Sequence, residues 1–299
     1  MSDTTFLVPQ SWDAYIGQEK LKERLQVKID AALDRMDSLG HILFASGPGQ
    51  GKSSLARLVT DNMGIPYVAM DMPVKWKSLQ KIFIEAEPRT AVMLDELHRL
   101  PKREQENLLT VLNDGLIQMD NGKRLHLPHK ISIFGATTEI QDVIKPLRDR
   151  FHFIARFEDY SDEDMAQIIS RMAMKVDLEP SAEQCLIFGQ ASAGTPRQAR
   201  NIILTARDLG STDPDEVLTM AGITRDGLTE DHIEYLLALS QIGGRAGVEN
   251  MSNMTGQPKD VLVDLEKLLV QKGFIIYGPK GRELVMEGMR LVQSLKDKS

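Results

Sequence analysis

The run Ser46-Gly47-Pro48-Gly49-Gln50-Gly51-Lys52-Ser53 sets glycines, a lysine and a hydroxyl in an order suited to a polyphosphate. Glycines let backbone N–H groups converge on phosphate oxygens, and a following helix adds its positive end. Lys52 can reach the β- and γ-phosphates, Ser53 can ligate Mg²⁺, and Ser54 follows at the helix start. Ser46 stands where this pattern usually has its first glycine, with Gly47 one place later.

Four further constellations could complete such chemistry. Ala91-Val92-Met93-Leu94 runs into Asp95-Glu96, so a buried strand could deliver one carboxylate to Mg²⁺ and a second to an attacking water. Ile131-Ser132-Ile133-Phe134-Gly135-Ala136-Thr137-Thr138 is an apolar run with a hydroxyl end able to hold that water. Pro146-Leu147-Arg148-Asp149-Arg150-Phe151 offers arginines to a neighbouring subunit's nucleotide, where a planar guanidinium would stabilise charge on the transferred phosphoryl group. Gly194-Thr195-Pro196-Arg197 places a cation at a helix start, against the helix dipole. A nearby phosphate would offset that conflict.

The elements that must position these residues are legible as patterns. Strands are expected at Ile42–Ser46, Tyr67–Asp71, Ala91–Asp95 and Ile131–Thr137, with helices such as Lys20–Met36, Ser53–Met63 and Arg103–Asn113 between them. That alternation predicts an α/β fold, a parallel sheet with helices on its faces and a nucleotide at the strands' carboxyl ends. From Ser161 the pattern turns helical, with starts at Ser161, Ser181 and Thr195-Pro196. Beyond Asp226-Gly227 come helices at Asp231–Gln241 and Lys259–Lys272 and strands at Gly273–Tyr277 and Arg282–Met286, turned at Gly278–Gly281. Helices followed by such a hairpin predict a winged helix. The expected division is a large ATPase domain at 1–157, a small helical lid domain at 158–226 and a winged-helix DNA-binding domain at 227–299.

A net charge of −7 argues against wholesale electrostatic coating of nucleic acid. From Lys267 onward, however, seven Lys/Arg face three Asp/Glu, a local surplus of four. No apolar run is long enough to span a bilayer, and the start lacks a secretory pattern. Cys185, the single cysteine, reads as a small buried hydrophobe. It leaves no intrachain disulfide, which suits a reducing, cytoplasmic location.

Together these motifs resemble an AAA+ ATPase and, within that superfamily, the RuvB family of Holliday-junction branch-migration motors. Tyr15-Ile16-Gly17-Gln18, Asp95-Glu96-Leu97-His98-Arg99-Leu100, Gly135-Ala136-Thr137-Thr138 and Gly194-Thr195-Pro196-Arg197 carry the likeness, as do Gly243-Gly244 with Gly247 and the segment Gln271 to Arg282. The resemblance implies that Tyr15, Ile16 and Tyr160 pack on adenine and that Thr138 is the first sensor. It makes Arg150 the preferred finger with Arg148 the alternative, and Arg197, after Pro196, the second sensor. Lys280 and Arg282 would touch DNA phosphates. ATP and Mg²⁺ are the implied cofactors. A hexameric homo-oligomeric ring acting on duplex or four-way-junction DNA is the implied assembly, with a RuvA-like junction-binding protein as partner. The family's partner-docking hairpin corresponds to Leu116–Leu127, which is several residues shorter with a polar tip and counts against that docking. Glu139 replaces the arginine that normally follows Gly-Ala-Thr-Thr. Two rival classes share the motifs: an ATP-dependent clamp or helicase loader, and a nucleotide-gated DNA-binding scaffold.

Overall fold

A computed structural model describes residues 7–119, 122–279 and 281–297 of the chain. Five parallel strands form the first sheet: β1 (Ile42–Ala45), β2 (Tyr67–Asp71), β3 (Ala91–Asp95), β6 (Ser132–Thr137) and β7 (Phe153–Arg156), in the order β2-β3-β6-β1-β7. The three inner strands are apolar and almost wholly buried, as a sheet covered on both faces requires. The edge strand β2 is mostly open, and its alternation is correspondingly looser.

Helices α1 (Glu19–Asp34) and α2 (Lys52–Met63) pack one core on this sheet; α3 (Trp76–Glu85), α4 (Lys102–Asp114) and the short α5 (Lys145–Arg148) pack the other. A hairpin, β4 (Leu116–Gln118) and β5 (Arg124–His126), projects after α4 in the expected place. Asp120 and Asn121, at its turn, lie outside the described residues.

The next segment is helical: α6 (Asp162–Met174), α7 (Ala182–Ala191), α8 (Pro196–Leu209) and α9 (Pro214–Ala221), sharing a separate core around Ile169, Phe188 and Ile202. Its starts follow from local chemistry. Ser161 and Asp164, then Ser181 and Gln184, close reciprocal capping boxes. Pro196 opens α8, where its missing N–H costs nothing.

A last core joins α10 (Glu230–Gln241), α11 (Val248–Thr255), α12 (Lys259–Gln271) and α13 (Met286–Lys296) to a three-stranded sheet of β8 (Arg245–Ala246), β10 (Gly281–Leu284) and β9 (Ile275–Gly278). This is a winged helix. Its second wing strand ends at Leu284 rather than Met286, because Met286 already begins α13. No helix among the described residues is long and apolar enough to cross a membrane.

Candidate active site and nucleic-acid interface

Adjacent parallel strands bring the chemistry together. The order β3-β6-β1 sets the end of β6 between the glycine loop that follows β1 and the carboxylates that end β3. The Ser46 N–H donates to the Thr137 carbonyl at 3.3 Å, tying loop to strand. The loop enters α2 through Gly51 at φ +93°, where a Cβ would lie 2.9 Å from the Tyr15 hydroxyl oxygen. Gly49, at φ +75°, admits Arg197 so closely that a Cβ there would sit 2.9 Å from the arginine's own Cβ. Both positions therefore need glycine twice over, for conformation and for approach.

Lys52 is almost fully buried and donates to the Ser46 and Gly47 carbonyls at 3.1 and 3.0 Å. Desolvation pulls its pKa down, opposed by Glu96 and Asp95, while Arg197 lowers it further. The Ser53 hydroxyl donates to Asp95 Oδ2 at 2.8 Å. A hydroxyl and a carboxylate meeting beside a phosphate loop are hard oxygen donors of the kind Mg²⁺ takes, so the residues present fit that ion.

Glu96 sits at φ +53°, a left-handed conformation unusual for a side chain of its size. Thr138 Oγ1 donates to Glu96 Oε2 at 3.1 Å. His98 Nδ1 stands 3.4 Å from that same oxygen and 3.0 Å from Thr137 Oγ1, with its Nε2 3.9 Å from Glu139. Sequence reasoning saw His98 only as part of a motif. Its role as a neighbour of Glu96 depends on β6 lying next to β3, which local pattern does not specify.

The cleft has two joined parts. An apolar part of about 540 Å³ is lined by Tyr15, Ile16, Gly51, Ser54, Tyr160 and Pro196, among others. The Tyr160 hydroxyl donates to that of Tyr15 at 3.4 Å, and burial raises the pKa of both phenols, so they stay neutral. A polar part of about 980 Å³ runs along Pro48 to Ser54, past Asp95 and Glu96, to Pro196 and Arg197. Gly51, Ser54 and Pro196 line both, giving an apolar end for a base and a cationic end for phosphates. The helical segment closes the cleft: Gln50 Nε2 donates to the Gly194 carbonyl at 3.3 Å and the Arg197 N–H to the Gly49 carbonyl at 3.4 Å. Leu7 reaches into the helical segment's core, and Lys175 holds the neighbouring Val8 carbonyl at 3.0 Å, a strap that sequence patterns did not reveal.

Arg148 and Arg150 lie elsewhere. Leu147 and Phe151 are buried on either side of them, which fixes the segment, while Arg150 is exposed. Neither arginine lines the cleft of its own chain, and neither has an ion-pair partner among the described residues.

The wing departs from expectation. Lys280, assigned to DNA, lies outside the described residues. Arg282, also assigned to DNA, turns inward: its Nε donates to Glu266 Oε1 at 2.7 Å, with its side chain 16 % exposed and Glu266 wholly buried. The Tyr235 and Tyr277 hydroxyls donate to the same carboxylate at 2.8 and 3.0 Å, and burial followed by that carboxylate raises both phenol pKa values. Arg282 thus pins the wing to α12 through its Nε. Lys267 and Arg290 are likewise paired, with Asp264 and Glu287. Much of the local cationic surplus is therefore neutralised, and exposed Lys272 at the end of α12 has no ion-pair partner among the described residues.

Glu266→Gln should destabilise the winged helix by about 3–5 kcal/mol, since it strands the Arg282 charge. Adding Arg282→Met should recover part of that loss. Urea unfolding followed by hydrogen exchange in α12 and the wing would measure both, and equal destabilisation of single and double variants would refute the pairing argument.

A P-loop ATPase of the AAA+ class is what this sheet order, two-part cleft and helical closure define. Residues 7–157 match the family model for the Holliday junction DNA helicase RuvB P-loop domain, and residues 225–293 match that for the RuvB C-terminal winged helix domain. The structure superposes on the Thermotoga maritima RuvB Holliday junction branch migration motor with a TM-score of 0.85 at 27 % identity, covering 96 % of this chain and 98 % of that one. A threonine-to-valine variant of the same protein gives a TM-score of 0.86 at 28 % identity over 96 % and 98 % of the two chains. NtrX from Brucella abortus, solved with ATP, shares the fold alone, at 17 % identity, a TM-score of 0.55 and coverage of 85 % and 69 %. The chain belongs to the RuvB family and is a RuvB-type branch-migration motor.

Proposed function

We propose that this chain works as a homo-oligomeric ring, a hexamer, in which ATP bound by one subunit is cleaved with Arg150 of the next.

 The adenine would lie between Tyr15, Ile16, Tyr160 and Pro196, and the phosphates along the loop from Gly47 to Ser54. Lys52 would leave the Ser46 and Gly47 carbonyls for the β- and γ-phosphates. Ser53 and Asp95 would hold Mg²⁺, which when bound neutralises phosphate charge and orients the chain. Glu96, positioned by Thr138 and His98, would take the proton of the attacking water. Arg197 would report the nucleotide's state to the helical segment and so move the winged helix with its DNA. A division of the chain into 1–157, 158–226 and 227–299 as ATPase, lid and DNA-binding domains is supported by the separate cores of the described residues.

The observation that carries this reading is the place of Arg148 and Arg150, outside the cleft of their own chain and without ion-pair partners among the described residues. An arginine so placed is free to reach a neighbour's nucleotide and not its own. The test is migration of a synthetic four-way junction by the purified chain with ATP and Mg²⁺, with and without a RuvA-like protein. Migration without that protein would agree with the short docking hairpin. ATP turnover that never moves a junction under either condition would refute the motor reading and favour a loader.

A further inference from the structure

We propose that Arg200 is a second arginine of the helical segment that binds the phosphate chain of the nucleotide, an assignment that rests on the cleft being the nucleotide site. Arg200 lines the polar part of the cleft together with Arg197, one turn earlier on α8. Its Nε is buried and has no hydrogen-bond partner, and neither arginine has an ion-pair partner among the described residues. Among the described residues no carboxylate pairs with either guanidinium, and only the Arg200 Nε is shut away from solvent as well. The first turn of α8 carries no acidic residue, so the helix dipole disfavours Arg197, and two cations three residues apart repel each other.

The cleft's carboxylates do not answer the need. Asp95 accepts from Ser53, and Glu96 from Thr138. Lys52, Arg197 and Arg200 therefore converge on a space with more positive than negative charge, and a polyphosphate is the ligand that satisfies it. Gln50 Oε1, on the same wall, is also buried without a partner, so the polar lining is incomplete on both the donor and the acceptor side. Anion binding would bring α8 toward the glycine loop through a second contact, in addition to the one that Arg197 supplies.

The experiment is calorimetric titration of the full chain with a non-hydrolysable ATP analogue and with ADP, for wild type, Arg200→Met, Arg200→Lys and Lys52→Ala. Methionine keeps the aliphatic stem and removes the charge, and thermal unfolding without nucleotide checks that each variant is folded. Arg200→Met should bind the analogue about 10- to 100-fold more weakly, with Arg200→Lys between it and wild type. A purely structural arginine would lower the unfolding midpoint and leave affinity alone. Affinity within about twofold of wild type for Arg200→Met, with Lys52→Ala impaired, would overturn the proposal. Unaltered binding in Lys52→Ala as well would instead overturn the nucleotide site itself.

Discussion

Arg150→Ala is expected to lower ATP turnover by about 10³- to 10⁵-fold, the range a finger arginine supplies to phosphoryl transfer. Nucleotide affinity should change little, because Arg150 lies outside its own chain's cleft. The transition state spreads charge over the transferred oxygens, and a planar guanidinium pairs with two of them at once. The decisive measurement mixes Arg150→Ala subunits with Lys52→Ala subunits. Each variant alone is inactive, but a mixed ring contains sites with an intact loop on one side and an intact arginine on the other. Turnover should therefore return on mixing. Its failure to return, at concentrations where rings form, would refute action in trans. Arg148→Ala, measured in parallel, should cost much less if Arg150 is the finger; the reverse ranking would transfer the role to Arg148.

Glu96→Gln is expected to lower kcat by about 10²- to 10⁴-fold, the usual contribution of a general base. Binding of ATP should persist, since the glutamine keeps an oxygen to accept from Thr138 and leaves Lys52 untouched. Pre-steady-state turnover and nucleotide affinity, measured separately, distinguish this from a folding defect. Equal losses in affinity and rate would show that the carboxylate holds the nucleotide rather than the water. His98→Ala should give a smaller fall in kcat, because the ring steadies Glu96 from 3.4 Å and is itself held at Thr137.

Much of the nucleotide site was legible because it is written in short segments. Ser46 to Ser53, Asp95-Glu96 and the hydroxyl end of the Ile131 run each carry their own strand, turn or helix signal within about ten residues. The inner strands were legible for the same reason, being near-continuous apolar runs. Strand β7 was not: Phe153–Arg156 is four residues long and ends in an arginine, too little to stand out from a loop. The two residues of β8 carried no strand signal of their own, and only the flanking Gly243-Gly244 and Gly247 stood out, as part of the family likeness. The helix starts at Ser161, Ser181 and Pro196 were readable because a cap is a local hydrogen-bonding arrangement.

What sequence alone determined, then, is the inventory: which residues can hold a phosphate, a metal or a water, and on what kind of element each rides. Those are local properties, set by side-chain chemistry and by periodicities of a few residues. Tertiary structure decided who meets whom. Strand order put Thr138 and His98 on Glu96, packing of the helical segment aimed Arg200 into the cleft, and the buried carboxylate of Glu266 took the Nε of Arg282. Each of these contacts joins residues that only a shared core brings within a few ångströms, and a buried charge takes whichever partner that core supplies.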